Sequence, residues 1–268
     1  MSTTPPRPAA DSRPGTSGSL AGRSVLVTGG NGGIGLGMAE ACAVAGARLV
    51  LWGRDSAKND VAVAQLREAG HAVDAFVCDV TDPAAVTDVF ARSVDTAGGR
   101  IDAVFANAGT TGRGIPFVDL DLDEWHRVLR TNVDGVFLTL QAAARHMIEA
   151  GGGSLVAVSS TSSIHGAAGN EAYGTSKTAV LGLVRALAVA LARHQIRVNA
   201  IVPGWTVTEM AGPLYAWDKF RDTTVARTPV RRWADPSEMG PAAVFLADPT
   251  NTFHTGDTVV VDGGYTVF

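Results

Sequence analysis

The clearest chemical signal in this chain is a tyrosine and a lysine four residues apart, Tyr173 and Lys177. The residues that follow have the apolar spacing of a helix, and on a helix positions i and i+4 share one face. An ammonium group beside a phenol favours the phenolate, so we expect the pKa of Tyr173 to fall from about 10 toward neutral pH. A tyrosine tuned in this way can act as a general acid or base.

A hydroxyl donor and a glycine-rich turn lie upstream of this pair. Ser159 and Ser160 close an apolar strand that begins at residue 154, and the glycine-rich turn follows the first strand of the chain. A proton donor, a hydroxyl donor and a dinucleotide-binding turn together indicate hydride transfer to or from a carbonyl group.

The turn at residues 28–35 reads Thr-Gly-Gly-Asn-Gly-Gly-Ile-Gly. Gly29 permits a tight turn, whereas Gly33 and Gly35 let the backbone approach a pyrophosphate at a helix N-terminus, where free N–H groups favour anions. A glycine-rich turn alone is a weak signal, but its position between a strand and a helix supports cofactor binding. We therefore assign Gly29, Asn31, Gly33, Ile34 and Gly35 to the cofactor site.

The end of the second strand bears on which nicotinamide cofactor binds. An acidic residue there would bind the ribose hydroxyls of NAD, but this chain has Gly53 followed by Arg54. The guanidinium of Arg54 matches a 2′-phosphate, which predicts NADP, although a solvent-facing arginine is the alternative. Asp55 comes next and leaves NAD possible.

Residues after the third and fourth strands complete the predicted cofactor site. Asp79 and Val80 would border the adenine, although Asp79 could instead cap the next helix. Asn107, Ala108 and Gly109 supply small residues where the cofactor would cross the sheet edge, although they could form an ordinary turn.

Apolar strands alternate with helices from about residue 21 onward. This alternation predicts a doubly wound, parallel, seven-stranded sheet of the Rossmann type in an α/β/α sandwich. We expect strands at 24–28, 47–52, 72–77, 102–106, 154–160, 197–202 and 259–261, and helices at 35–45, 57–69, 83–97, 123–149 with a bend near Asn132, and 173–194.

Two segments stand outside this alternation. Residues 1–20 are rich in Pro, Ser, Thr and Gly without the apolar stretch of a secretory signal, so we expect a disordered tail, with a transit peptide as the alternative. Residues 21–268 would form a single domain, in which 204–234 is an irregular substrate lid. The aromatic residues of this lid suit either a pocket for an apolar or bulky carbonyl compound or a subunit interface.

Composition excludes several classes of function. A net charge of -4 and a pI near 5.8 give no electrostatic case for binding nucleic acid or an anionic membrane. We see no apolar run long enough to span a bilayer, which takes roughly 18 residues. Cys42 and Cys78 are too few for a secreted disulfide framework and read as core residues. The six histidines form no helix-spaced metal pair, so we predict no catalytic metal. We also predict a cytoplasmic location.

In these motifs the chain resembles the short-chain dehydrogenase/reductase family, in particular 3-oxoacyl-acyl-carrier-protein reductases and related ketoreductases. The resemblance covers residues 22–268. It rests on Thr28-Gly-x-x-x-Gly33-x-Gly35, Asn107-Ala-Gly109, Asn132, Ser160, Tyr173-x-x-x-Lys177 and Pro203-Gly204-x-x-x-Thr208. One departure is Gly32, where NADP-dependent members often carry a basic residue, so Arg54 must select the phosphate largely alone.

The resemblance implies roles for individual residues. The family's catalytic serine lies thirteen residues before its tyrosine, which selects Ser160 over its neighbours. Asn132 would bend the fourth helix and hold a water in the proton relay, and Lys177 would also bind the nicotinamide ribose. Pro203, Gly204, Val207 and Thr208 would line the cofactor, with Val207 and Thr208 at the carboxamide and phosphates.

The sequence therefore predicts an oxidoreductase that moves a hydride between NADP(H) and a small carbonyl or secondary alcohol through Asn132, Ser160, Tyr173 and Lys177. The alternatives are an NAD-dependent alcohol dehydrogenase of the same family and a non-catalytic NADP-binding sensor. The apolar edge strand in 257–268 and the wide apolar faces of the helices carrying Asn132 and Tyr173 predict a homotetramer, as is common in the family.

Overall fold

A computed structural model describes residues 19–268, and it contains one parallel sheet of seven strands in the order β3-β2-β1-β4-β5-β6-β7. This confirms the predicted doubly wound sheet. Each strand lies within two residues of its predicted bounds. The strands are β1 Ser24–Thr28, β2 Arg48–Gly53, β3 Val73–Val77, β4 Ala103–Ala106, β5 Gly153–Val158, β6 Ile196–Pro203 and β7 Thr258–Val261.

The sheet is buried on both faces because its central strands are apolar along their whole length. All five residues of β1 and all eight of β6 are buried. Parallel strands need helices on both sides to cover such faces. One core cluster joins the sheet to α3, α5 and α6, and the other joins it to α1, α2 and α9, so three layers result.

Three of the helices begin where an aspartate side chain accepts hydrogen bonds from free backbone N–H groups. Asp55 caps α2, Asp82 caps α3 ahead of Pro83, and Asp121 caps α4. The nine helices that the structure describes in residues 19–268 are α1 Gly33–Val44, α2 Ser56–Glu68, α3 Pro83–Thr96, α4 Leu122–Leu129, α5 Gly135–Glu149, α6 Glu171–Leu191, α7 Gly212–Tyr215, α8 Asp218–Arg227 and α9 Gly240–Ala247.

The bend predicted near Asn132 is a single π-helical segment, Arg130–Asp134, between α4 and α5. A π-turn inserts an extra residue into the helix and is often found at functional sites. A side chain at Gly135 would collide with Val80, so the helix passes close to the end of β3 at this point. The bend therefore directs Asn132 into the protein, where it is fully buried.

Three predictions need correction at the level of the fold. Leu20, which we placed in the tail, is fully buried and its N–H donates to Ala45 O at 2.9 Å, so the folded domain includes it. The tail prediction for residues 1–18 lies outside the described part of the chain. The lid is less irregular than predicted because it contains α7 and α8. Sequence analysis also missed α9, which follows the capping box of Asp235 and Glu238.

One helix is more apolar than we expected. The segment Glu171–His194, which comprises α6 and the turn after it, has the length and hydropathy of a membrane-spanning helix. It packs against β6 and α4 through one face and carries Tyr173 and Lys177. Helices in the core of a protein can have the same length and hydropathy. The face of α6 that does not pack against the sheet carries exposed apolar side chains such as Val189.

Candidate active site

The three residues Ser160, Tyr173 and Lys177 come together at the carboxyl end of the sheet. Ser160 follows β5, and the other two lie on successive turns of α6. Lys177 Nζ lies 5.6 Å from the centre of the Tyr173 ring, and the Tyr173 hydroxyl shares a hydrogen bond with the Ser160 side chain. The arrangement places a proton donor, a second hydroxyl and an ammonium group at one point.

Lys177 is buried between α6 and the end of β5. Its Nζ donates a hydrogen bond to Val158 O at 2.8 Å, and Ser159 Oγ donates to Lys177 O at 2.7 Å. Burial lowers the pKa of the Lys177 ammonium to about 8. An ammonium group has three N–H donors, so donors beyond the one used by Val158 are free to meet a ribose hydroxyl.

The predicted fall in the pKa of Tyr173 is wrong. Burial raises the pKa of the Tyr173 hydroxyl, and the hydrogen bond with Ser160, which acts in the opposite direction, does not overcome it. Desolvation disfavours the charged phenolate of Tyr173. Burial also disfavours the charged form of Lys177, which would otherwise stabilise the phenolate. The side chain is therefore a protonated phenol at neutral pH, the form that donates a proton.

Asn132 is held by neighbours other than the catalytic lysine. Its Oδ1 accepts from Thr110 N at 2.8 Å, and its Nδ2 donates to Thr110 O and to Ser176 Oγ, both at 2.9 Å. A methyl group at Gly109 would lie 3.2 Å from Asn132 Oδ1 and 3.4 Å from Lys177 Nζ. The absence of a side chain at Gly109 therefore lets the asparagine and the lysine approach the same space.

A buried ion pair that sequence analysis missed supports the loop after β4. Glu124, which is 4% exposed, accepts two hydrogen bonds from Arg127 at 2.7 and 2.8 Å, and these bonds lower the pKa of its carboxyl. Arg127 also donates to Thr110 Oγ1 at 3.0 Å and to Thr111 O at 2.8 Å. The i,i+3 spacing of Glu124 and Arg127 was visible in the sequence, but such pairs are common on exposed helix faces.

The glycine-rich turn fits a bound pyrophosphate. Gly29 and Gly33 have φ values of 63° and 49°, which favour glycine, and α1 has no side-chain cap. Its first N–H groups therefore lack side-chain partners and can meet an anion. The backbone at Gly33 faces the side chain of Thr208, since a methyl group there would lie 3.3 Å from Thr208 Cγ2. Thr208 and the turn are therefore close neighbours at the carboxyl edge of the sheet.

The structure gives Gly35 a role in packing. A side chain at this position would collide with Gly29 O and the Asn107 amide, so only glycine fits between the turns after β1 and β4. Asn107 Nδ2 donates to Thr28 O at 2.9 Å, and the backbone N–H groups of Asn107 and Ala108 donate to Thr28 Oγ1, each at 3.0 Å. These bonds join the turns after β1 and β4.

At the end of β2, the space beside Gly53 is already filled. A side chain there would collide with Asn31 and Asn59, which are hydrogen-bonded to each other at 2.8 Å. Arg54 is exposed, whereas Asp55 accepts from Lys58 N at 3.1 Å as the cap of α2. The carboxylate that left NAD possible therefore has a structural role.

Asp79 is set up as an ionised group beside Arg54. Burial opposes its ionisation, but two hydrogen bonds from Thr81, at 2.8 and 2.9 Å, and the charge of Arg54 lower the pKa of its carboxyl below the ordinary value. Asp82 caps α3, so the alternative role for Asp79 as that cap is wrong. The Arg54 charge thus lies within electrostatic reach of the end of β3.

The remaining predicted cofactor residues vary in exposure. The side chain of Val80 is buried in the core, which leaves its backbone for ligand contact. Pro203 ends β6, Gly204 N donates to Val261 O at 2.9 Å, and Val207 N donates to Ala234 O at 2.9 Å. Ile34 is half-buried against the core. A cavity of about 230 Å³ next to the turn is lined by Asn31, Ala57, Lys58 and Val61.

With this geometry established, comparisons with known proteins identify the family. A family described as enoyl-(acyl carrier protein) reductase matches residues 29–266. The chain is 38% identical over 249 residues to a gluconate 5-dehydrogenase of Gluconobacter oxydans strain 621H, covering 93% of this chain and 96% of that protein. It is 37% identical over 252 residues to the L-tagatose-forming galactitol 2-dehydrogenase of Cereibacter sphaeroides, covering 93% and 97%.

A solved structure gives the same answer in three dimensions. The gluconate 5-dehydrogenase from Burkholderia cenocepacia J2315, crystallised with NADP and tartrate, superimposes with a TM-score of 0.88 at 36% identity and covers 93% of this chain and 97% of that one. The chain belongs to the short-chain dehydrogenase/reductase family. Like these relatives, this family member is an oxidoreductase that acts on the CH–OH or carbonyl group.

The segment predicted as a lid, residues 204–234, has an aromatic core of its own. Trp205 stacks on Trp233 with ring centres 5.0 Å apart and meets Phe220 edge-on at 5.1 Å. Trp233 is buried, and its Nε1 donates to Thr224 Oγ1 at 2.8 Å. We had expected these aromatics to line a pocket or an interface, and several of them instead pack on one another. Met210 and Trp217 remain half-exposed or more.

Proposed function

We propose that this enzyme interconverts a secondary alcohol and a ketone in a small polyhydroxylated substrate, with NADP(H) as hydride carrier. One observation carries the proposal. The cluster of Ser160, Tyr173 and Lys177 lies at the same sheet edge as the glycine-rich turn, and helix α1 after this turn has no side-chain cap. Its relatives in sequence act on gluconate and galactitol, as their names state, which supports a polyhydroxylated substrate.

When bound, the nicotinamide supplies or accepts the hydride. In reduction, Tyr173 donates its proton to the substrate oxygen, and its raised pKa keeps that proton available at neutral pH. Ser160 donates a hydrogen bond to the same oxygen and stabilises the charge that develops there. Lys177 holds the ribose with its free N–H donors and faces Tyr173 with its positive charge. Asn132 fixes Thr110 and Ser176, so it positions the loop beside the lysine.

The cofactor preference for NADP rests on the charges at the end of β2. Arg54 is exposed at the position where a 2′-phosphate would lie, and Gly53 has no room for the acidic side chain that would bind the ribose of NAD. The B. cenocepacia relative was crystallised with NADP, which supports the same choice. Cofactor contacts are proposed for Gly29, Asn31, Gly33, Ile34, Arg54, Asp79, Val80, Ala108, Gly109, Tyr173, Lys177, Pro203, Gly204, Val207 and Thr208, with Gly35 and Asn107 shaping the turn.

A homotetramer in the cytoplasm is the proposed form of the enzyme. The strand β7 forms one edge of the sheet, and apolar side chains near it, such as Phe245 and Phe268, are exposed. Val189 on the outer face of α6 is 83% exposed. Such surfaces are commonly covered by another subunit. The two cysteines are free and buried, as in proteins of reducing compartments. We keep residues 204–234 as the substrate lid of a single domain.

The test is a panel of ketones followed by the loss of NADPH absorbance. We expect turnover of 5-keto-D-gluconate, L-tagatose or a similar polyhydroxylated ketone, and little turnover with NADH. Tyr173→Phe should bind NADPH normally but lower kcat at least about a hundredfold, the usual scale for loss of a general acid. Tyr215→Phe is the matched control on the lid. Tight NADPH binding without turnover of any substrate would instead favour the sensor alternative.

A further inference from the structure

Two buried polar atoms, His165 Nε2 and Trp205 Nε1, have no hydrogen-bond partner within residues 19–268, and both residues follow strands at the sheet edge that carries Ser160. His165 lies on the loop after β5, five residues beyond Ser160, and Trp205 begins the lid just after β6. Buried polar atoms are nearly always hydrogen-bonded, and leaving one unpaired is unfavourable. Two unpaired atoms at this sheet edge therefore point to a ligand that pairs with them.

Both rings meet the same side chain, Tyr265, near the C-terminus. The centres of the His165 and Tyr265 rings are 5.8 Å apart at an angle of 83°, and those of Trp205 and Tyr265 are 6.5 Å apart at 84°. Three distant parts of the chain thus converge on one spot. Arg227 covers Tyr265 from the lid, with its guanidinium carbon 4.4 Å from the ring centre.

The position of Tyr265 is fixed by a tight turn at the end of the chain. Both oxygens of the Asp262 carboxylate accept backbone hydrogen bonds, from Gly264 N and Thr266 N at 2.8 Å each. Gly263 and Gly264 have φ values of 63° and 86°, which the turn requires. Asp262 is therefore a positioning residue for Tyr265, whose ring lies against both His165 and Trp205.

The chemistry of these atoms selects the kind of ligand. The indole N–H is a donor only, whereas a neutral imidazole Nε2 can donate or accept, so together they match a hydroxyl group, which can do both. An apolar ketone would leave both atoms unpaired and would be disfavoured for that reason. Aromatic rings also suit the C–H faces of a carbon chain that carries hydroxyl groups.

We propose that His165 and Trp205 form a hydroxyl-binding subsite that recognises a polyhydroxylated substrate away from its reacting carbon, with Tyr265 as one wall. This inference rests on the proposed function, since it assumes that the substrate reacts at Ser160 and Tyr173. It assigns specificity to two residues outside the motifs that identify the family, and it gives the C-terminal turn a function.

The experiment is calorimetric titration of the full chain saturated with NADPH, a state in which an alcohol binds without reacting. The probes are galactitol, which has many hydroxyl groups, and cyclohexanol, which has one. We expect the wild type to bind galactitol more tightly than cyclohexanol. His165→Leu should weaken galactitol binding about five- to tenfold, as for a lost neutral hydrogen bond, and leave cyclohexanol within about twofold. His165→Gln should restore part of the loss.

His126→Leu, at an exposed position on α4, is the matched control and should change neither affinity. Trp205→Phe should act in the same direction as His165→Leu, and normal NADPH binding will show that each variant is folded. The inference is overturned if the wild type does not bind galactitol, if His165→Leu leaves galactitol affinity unchanged, or if it weakens both probes equally. Failure of the proposed function would appear separately, as absence of ketone-dependent NADPH oxidation by the wild type.

Discussion

Lys58 Nζ lies 2.6 Å from Glu209 Oε2, so an ion pair joins the first turn of α2 to the start of the lid. The two residues are 151 positions apart in the chain. Lys58 lies beside Asn31 of the glycine-rich turn, and Glu209 directly follows Thr208, so the pair links two segments that are predicted to bind the cofactor. The carboxylate of Glu209 raises the pKa of Lys58. The pair is exposed, so water and salt screen it.

We expect the Lys58–Glu209 pair to slow cofactor release. Glu209→Gln should speed NADPH dissociation about two- to fivefold at low ionic strength, the range for an exposed pair. The difference in dissociation rate between Glu209→Gln and wild type should vanish in 1 M salt, because salt at this concentration screens charges even a few ångströms apart. Stopped-flow measurement of NADPH fluorescence gives the rate. Glu238→Gln, which breaks a different lid ion pair with Arg232, is the control, and equal acceleration by both variants would contradict a specific clasp.

The raised pKa of Tyr173 predicts opposite pH dependence for the two reaction directions. Reduction needs the protonated phenol, so its kcat/KM should be level from about pH 6 to 7 and fall as the pH rises through about 8, where Lys177 loses its charge. Oxidation needs the phenolate, so its rate should rise with pH. Steady-state rates with NADPH and with NADP⁺ between pH 6 and 10 test this, and an oxidation rate that falls with pH would contradict the role of Tyr173 as base.

Two adjacent substitutions should separate cofactor selectivity from packing. Arg54→Ala should weaken NADPH binding about ten- to hundredfold and leave NADH binding nearly unchanged, because only NADPH carries the 2′-phosphate. Gly53→Asp should not convert the enzyme to NADH, because its side chain would collide with Asn31 and Asn59, and it should lower the Tm instead. Arg92→Ala, at an exposed site on α3, is the control. Tighter NADH binding by Gly53→Asp would contradict this prediction and would show that the Asn31 and Asn59 side chains can move to accommodate the carboxylate.

Burial of Lys177 should make the cofactor-free protein more stable as pH rises. Its pKa is about 8 when folded and 10.5 when unfolded, so below pH 8 both states are charged and folding bears the full desolvation cost, about 3 kcal/mol. Between pH 8 and 10.5 the unfolded chain binds more protons, and stability rises with pH. Lys177→Met should therefore be more stable than wild type at pH 7, with the difference shrinking toward pH 9.5.

Urea unfolding at pH 7, 8, 9 and 9.5 measures this difference. Lys219→Met, which removes an exposed lysine from α8, should stay parallel to wild type across the range. A constant gap between Lys177→Met and wild type would mean that the folded lysine keeps an ordinary pKa.

The exposed apolar face of α6 should be a subunit contact. Light scattering coupled to size exclusion should give a mass near four times the 27.6 kDa of the chain. Val189→Glu places a charge on the exposed face and should shift the protein to dimers or monomers, since an unpaired charge in an interface is strongly unfavourable. Val61→Glu, on the exposed face of α2, is the control. A wild-type mass near 27.6 kDa at micromolar concentration would refute a stable oligomer.

The sequence alone determined the sheet, because near-continuous apolar strands such as 196–203 have only one stable arrangement, buried between two layers of helices. It also paired Tyr173 with Lys177, because their i,i+4 spacing places them on one face of any helix, and the family resemblance added Ser160. The bend at Asn132 was predicted from the family resemblance, and the structure shows it to be a π-helical segment.

The tertiary structure decided what depends on neighbours distant in the chain. Desolvation by the surrounding protein reversed the expected shift in the pKa of Tyr173, and the sequence contains no measure of burial at that level. Gly35 and Gly53 looked alike in the sequence, as small residues near a cofactor. In the structure a side chain at Gly35 would collide with Gly29 and Asn107, and one at Gly53 with Asn31 and Asn59. The rings of His165 and Trp205 both contact Tyr265, although His165 and Tyr265 are about 100 positions apart in the chain. Their contact depends on how the lid and the C-terminal turn pack at the sheet edge.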